Sequence, residues 1–183
     1  MKAKIPDLLK CYDSVFSKPQ FNHFTRMIES LSICDKPSIS RFSNIHNKSR
    51  SSLNRFLTES TWEVDEVKSI YHNQLNRYVK EDSYLLIDDT ISHRPYAKKV
   101  QKANWHFDHT INKQSLGYSI VTSTLAFEGN NIPYDIVPYY RKEDCFDRNF
   151  LTKNDIVEKI IKSVRCNKNV RRIIFDTWYS NDQ

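Results

Sequence analysis

Apolar residues in the first part of the chain recur at the three- and four-residue spacing of an amphipathic helix. Phe21, Phe24, Ile28 and Leu31 show this spacing, which places all four side chains on one helix face. The same spacing predicts three further helices: 38–45, 51–58 and 64–79. We therefore expect residues 1–80 to form a helical domain.

From Tyr84 onward the pattern changes to short apolar runs. The runs 85–87 and 173–175 are too short for helices and predict buried strands. Between them lie two segments rich in β-branched residues, joined by a turn, and one segment with helical spacing: 118–127, 132–140 and 155–164. The order strand, strand, strand, helix, strand predicts an α/β domain over 81–183, with the last strand parallel to its neighbour.

Charge is distributed unevenly along this chain of 183 residues. Lys and Arg number 28 against 22 Asp and Glu, and the segment 36–58 contains five basic residues and no acidic one. With only two glycines, a glycine-rich phosphate-binding loop is excluded. No apolar run reaches the roughly 20 residues that a membrane span needs. The four cysteines are far apart in sequence, and we expect reduced core thiols in a cytoplasmic protein.

The basic segment 36–58 contains two predicted short helices separated by a break at 47–49, a spacing typical of a helix-turn-helix. Basic and amide side chains there can reach phosphates and base edges. A small helical bundle with a solvated basic face is the alternative. The candidate DNA-binding residues are Arg41, Lys48, Arg50, Ser52, Asn54 and Arg55, and further along the chain Lys98, Lys99 and Lys102.

Aspartates follow two of the predicted strands directly. Asp88 comes after the run 85–87 and Asp176 after the run 173–175. If the strands are neighbours, their backbones lie about 4.8 Å apart. Two carboxylates this close repel each other unless a cation lies between them, and a divalent metal site is one interpretation. The alternative is that each aspartate merely ends a strand, since Asp favours turns.

The segments around both aspartates resemble the catalytic blocks of insertion-sequence DDE transposases. The first block is YLLIDDT at 84–90 with RPYAKK at 94–99, and the second is IFDTWYS at 174–180. Two helical segments, FSKPQ at 16–20 and SSLNRFL at 51–57, are similar to the N-terminal region of the same family. Four blocks in this order cover nearly the whole chain.

This resemblance implies a ribonuclease-H-like fold that uses two Asp and one Glu with Mg²⁺ or Mn²⁺ to cut and rejoin DNA. The family pattern of strand, Asp, any residue, Thr or Ser makes Asp88 the first catalytic and metal-binding residue, Asp89 the second choice, and Asp176 its partner. No Glu follows Asp176, so the resemblance implies an incomplete ribonuclease-H-like mixed sheet and a truncated transposase. The implied partner is double-stranded DNA at transposon ends; a homodimer and a downstream-encoded C-terminal part remain open.

Two hypotheses follow. The chain is either a metal-dependent transposase or a catalytically inactive, DNA-binding remnant of one. Trp178 and Tyr179, next to the second block, are expected either to stack on a DNA base or to pack in the core.

Overall fold

The computed structural model describes residues 5–79, 82–96, 102–108, 110–145, 149–164, 169–176 and 179. The chain divides into two compact units, Met1–Leu75 and Asn76–Gln183. The division falls five residues before the boundary expected from the change in hydrophobic period. Each unit has its own core.

The first unit is helical. Its helices are Ile5–Leu9 (α1), a 3₁₀ turn at Lys10–Tyr12, Lys18–Ile33 (α2), Ile39–His46 (α3), Arg50–Thr58 (α4) and Val64–Leu75 (α5). Gln20 in the first turn of α2 accepts a hydrogen bond from the Ser17 backbone N–H at 2.8 Å, which caps the helix. Buried Tyr12, Phe16 and Phe56 form the core against partly buried aromatic and aliphatic side chains.

The second unit is a mixed five-stranded sheet with one long helix. The strands are Ser83–His93 (β1), Asn104–Asp108 (β2), Lys113–Phe127 (β3), Asn130–Tyr139 (β4) and Val170–Phe175 (β5), and the helix is Lys153–Val164 (α6). β1 lies between antiparallel β3 and parallel β5, while β2 and β4 pair with successive parts of the long β3. The predicted α/β class and the parallel last strand are confirmed.

The two faces of this sheet differ in their environment. Alternate residues of β1 and β3, such as Leu85 and Val121, are buried on the face covered by the apolar side of α6. The opposite face, here called the open face, carries Leu86, Ile136 and Ile174, which are exposed. Because successive strand residues point to opposite faces, neighbouring positions of one strand meet different surroundings.

Three sequence-based expectations need correction. β1 extends to His93, well past the apolar run, because ten consecutive pairs with β3 satisfy its backbone groups despite the polar side chains. The strand β2 was not predicted, since its alternation is short and includes His106 and Asp108. Helix α5 ends at Leu75, four residues before its predicted end at residue 79, and a turn follows at 76–78.

Two further features concern membranes and thiols. Within the described ranges, no helix is long and apolar enough to cross a membrane.

The three described cysteines are free of disulfides, but Cys11 is exposed and Cys34 and Cys145 are only partly buried. The expected core location of these thiols is therefore wrong, and Cys166 lies outside the described residues.

Helix α4 offers a matched pair for testing the first core. Leu53 is fully buried, whereas Leu57, four residues later, is 47% exposed. We expect Leu53→Ala to lower the free energy of unfolding by about 2–5 kcal/mol through the reduced burial and the cavity it leaves. Leu57→Ala is expected to change it by less than about 0.5 kcal/mol. Urea unfolding followed by circular dichroism measures both, and equal decreases would contradict this packing.

Candidate active site and nucleic-acid interface

Parallel pairing brings the two predicted metal-binding aspartates to the same edge of the sheet. Leu85 pairs with Ile173 and Ile87 with Phe175, so Asp88 and Asp176 are the next residues on adjacent strands. Paired residues of parallel strands share a face, and the strand backbones lie about 4.8 Å apart. Both aspartates are exposed. The two carboxylates therefore leave the carboxyl ends of neighbouring strands side by side.

Asp88 and Asp89 have different surroundings. Asp88 belongs to the open face, where its backbone oxygen accepts a hydrogen bond from the Thr122 hydroxyl at 3.2 Å. One of its carboxylate oxygens accepts the Asp89 N–H at 2.8 Å. Asp89 belongs to the helix-covered face and is half-buried; its carboxylate forms an ion pair with Lys153 at the start of α6. The Tyr179 hydroxyl donates to the other oxygen of Asp89 at 3.1 Å.

A cavity of about 400 Å³ lies at this edge of the sheet. Its lining residues are Asp89, Ile91, His106, Phe107, Ser119, Lys153 and Asp176. Burial, and then the charges of Arg141 and Lys153, lower the pKa of His106, so the imidazole is predominantly neutral at neutral pH. The Lys153 ammonium also lies 5.7 Å from the centre of the Tyr139 ring.

Tyr179 links this cavity to the carboxylates. Burial raises the pKa of its hydroxyl, and so do Asp89, Asp88 and Asp176, in that order. All three carboxylates therefore act on one phenol group. Sequence reasoning predicted only a stacking or packing role for Tyr179, because its hydrogen bond to Asp89 spans 90 positions of the chain. Trp178 lies outside the described residues.

The donor set at the sheet edge fits a hard divalent cation in part. Mg²⁺ prefers carboxylate oxygens and is usually bound by one or two carboxylates, and Asp88 and Asp176 supply two. The charge of Asp89 is already balanced by Lys153, which favours Asp88 over Asp89 as a ligand. Among the residues that the structure describes, no group of three or more His, Cys, Asp or Glu side chains is arranged to hold a metal.

The first unit contains two short helices, α3 and α4, where the sequence predicts a helix-turn-helix. Helices α3 and α4 are joined by Asn47, which has a left-handed φ of 47°, and Phe42, Leu53 and Phe56 anchor them in the core. The predicted DNA-binding residues that are exposed are Arg41, Lys48, Arg50, Asn54 and Arg55. Ser52 is partly buried and its hydroxyl lies 3.1 Å from the His23 ring.

The lysines that follow the first aspartate are only partly described. Lys102 is half-buried, and its ammonium lies 5.1 Å from the centre of the Tyr140 ring. Lys98 and Lys99 lie outside the described residues.

The Tyr179 hydroxyl allows a test of this network. We expect Tyr179→Phe to lower the free energy of unfolding by about 1–3 kcal/mol at neutral pH, because Asp89 loses a hydrogen-bond donor. Tyr78→Phe, at an exposed tyrosine, is the control and should have little effect. Urea unfolding at neutral pH compares the two variants with the wild type.

The same substitution should change the pH dependence of stability. Since the pKa of Tyr179 is raised in the folded protein, its contribution is present below pH about 10 and is lost as the pH rises above that value. Tyr179→Phe should therefore lose less stability than the wild type between neutral and strongly alkaline pH. Identical pH profiles for the two proteins would argue against this environment of the phenol.

Comparison with known proteins agrees with this geometry. The family model described as DDE superfamily endonuclease matches residues 38–183, a range that includes helices α3 and α4 and the whole sheet. A search of the curated proteins finds no match. The match covers most of the chain, and the mixed sheet with its helical crossover is consistent with a ribonuclease-H-like domain. The chain therefore belongs to the DDE superfamily endonucleases.

Proposed function

We propose that this protein is a DNA transposase that binds transposon ends and cuts and rejoins phosphodiester bonds with a divalent metal. One observation carries the proposal: Asp88 and Asp176 follow the last paired residues of two adjacent parallel strands, in register and exposed. Membership in an endonuclease family supports DNA as the substrate. Asp88 and Asp176 would hold Mg²⁺ or Mn²⁺.

The roles of the protein's own groups follow from their positions. A bound divalent ion would activate the attacking oxygen and stabilise the leaving oxygen. Asp88 and Asp176 supply the negative charge that binds it, on a sheet edge that main-chain hydrogen bonds hold rigid. Asp89 has a structural role, because its carboxylate binds Lys153 and Tyr179 from two other segments of the chain.

The second candidate is a DNA-binding protein without cleavage activity. It is supported by the exposed basic side chains of α3, α4 and their connection, which suit binding to phosphates: Arg41, Lys48, Arg50 and Arg55. The helix-turn-helix residues would then carry the function. Both candidates require DNA binding, and only the first requires metal-dependent cleavage.

Cleavage of a supercoiled plasmid in the presence of Mg²⁺ separates these candidates. We expect Asp88→Asn and Asp176→Asn each to reduce cleavage by at least about 100-fold, more than the removal of a residue that only supports a metal ligand. Asp89→Asn should retain metal-dependent cleavage. The control is Glu158→Gln, since Glu158 forms an exposed ion pair with Lys162 on α6.

The cleavage activities of the variants identify which aspartate binds the metal. Loss of cleavage in Asp89→Asn but not in Asp88→Asn would transfer the ligand role to Asp89. Wild-type protein that binds DNA without cleaving it at any Mg²⁺ or Mn²⁺ concentration would favour the second candidate.

DNA binding by helix α4 is tested by the salt dependence of affinity. We expect Arg50→Ala and Arg55→Ala each to weaken duplex binding and to reduce the slope of log K against log salt by about 0.9 for each phosphate that the protein no longer neutralises. Arg171→Ala, at an exposed arginine paired with Asp82 in the second unit, is the control. Fluorescence anisotropy at several salt concentrations measures the slopes, and unchanged slopes for both α4 variants would contradict this interface.

A further inference from the structure

Two aromatic side chains are exposed on strand β2. Trp105 is 61% exposed and Phe107 44% exposed, although both belong to a regular strand. Being two residues apart, they lie on the same face of the strand, with about 7 Å between them. Trp105 pairs with Leu116 on β3, and the same alternation along β3 leads to Thr122, which pairs with Asp88. Both aromatic residues therefore share the open face with Asp88.

Basic residues outnumber acidic ones in the segment that contains this pair. Residues 90–118 include Arg94, Lys98, Lys99, Lys102 and Lys113, and one acidic residue, Asp108. Asp108 is only 5% exposed. Its carboxylate accepts hydrogen bonds from the Thr110 N–H at 2.8 Å and hydroxyl at 2.5 Å, and it lies 2.9 Å from His93 Nε2. The one acidic charge of this segment is thus buried, and exposed Arg94, which lies level with Leu116, shares the face of Trp105. A cationic side chain beside the rings favours an anionic ligand.

The aromatic pair stands on a rigid support. Five consecutive pairs join β2 to β3, and Arg141 donates a hydrogen bond to the Trp105 carbonyl at 2.5 Å. Asn104 donates to Asp144 at 2.6 Å. At Gly117, which pairs with both Asn104 and His93, an added Cβ would lie 2.3 Å from the Ser92 oxygen. The three strands are therefore packed too closely for a larger residue there.

We propose that this part of the open face binds an unpaired DNA strand, with bases stacked on Trp105 and Phe107; this inference rests on the DNA-cleaving function proposed above. Exposed aromatic rings beside basic side chains are a means by which proteins hold single strands, because every base has a π face. The bases of an intact duplex are stacked about 3.4 Å apart, half the spacing of the two rings. Only separated bases fit both rings.

The strand pairing gives the distance from the aromatic pair to Asp88. Trp105 lies two strands across from β1 and level with Arg94, whose N–H donates to the Leu116 carbonyl. This places it roughly 20 Å along the strands and 10 Å across them from Asp88, a distance of several nucleotides. A strand held there reaches the carboxylates over the same face.

Binding of a fluorescein-labelled oligothymidine strand, compared with a duplex of equal length, tests the inference in the absence of divalent metal. We expect Trp105→Leu, which keeps an apolar side chain but removes the π face, to weaken single-strand binding by about 5- to 150-fold. Duplex binding should change little, and Trp105→Phe should restore most of the single-strand affinity. Ile136→Ala, at an exposed apolar residue elsewhere on the open face, should bind as the wild type does.

Several outcomes would overturn the inference. Single-strand affinity that is equal in Trp105→Leu and in the wild type would do so, as would equal decreases for single strand and duplex. A change in sedimentation mass without a change in DNA binding would instead assign Trp105 to contact with a second copy of the chain.

Photo-cross-linking of the wild-type protein to a strand containing 5-iodouracil does not depend on any variant folding. Cross-links mapped by mass spectrometry to the peptide containing residues 104–108 support the inference, and cross-links found only elsewhere overturn it. Failure of the proposed cleavage function is recognised separately, as absence of Mg²⁺-dependent plasmid cleavage by a protein that still binds the single strand through Trp105.

Discussion

The parallel pairing of β1 with β5 is the constraint on which the rest of the second unit depends. It sets Asp88 beside Asp176 at a strand separation of about 4.8 Å. Two carboxylates at this distance destabilise each other unless a cation or solvent compensates them. The fold tolerates the arrangement because the charges lie at an exposed edge, while Leu85 and Ile87 supply burial directly beneath.

The neighbouring carboxylate of Asp89 lies in a different environment. Asp89 differs from Asp88 by one position and therefore by one face of the sheet. Its charge is taken up by Lys153 and Tyr179, which come from the start of α6 and from the segment after β5. Asp89 thereby connects three segments of the chain, whereas Asp88 stays exposed to solvent. The two adjacent aspartates differ in environment because successive residues of a strand point to opposite faces of the sheet.

Local patterns in the sequence predicted much of this architecture. The helices α3, α4 and α6 and the strands around Leu85 and Ile173 follow from apolar spacing, and the adjacent position of the two Asp residues follows from the pairing of those strands. The extent of β1 beyond Asp88 and the existence of β2 did not follow, because partner strands stabilise polar segments whose own propensity is weak. The ion pair of Asp89 with Lys153 spans 64 positions and leaves no local signal.

The length of chain between the two aspartates also determines when they come together during folding. Leu85 and Ile173 are separated by most of the length of the second unit, with the β3–β4 hairpin and α6 between them. Closing so long a loop carries an entropic cost that local structure does not repay, and such non-local pairings slow folding. The hairpin and helix can form early, but the two carboxylates meet only when the last strand docks. A chain emerging from the ribosome therefore carries no assembled pair of aspartates until nearly all of this unit has been synthesised.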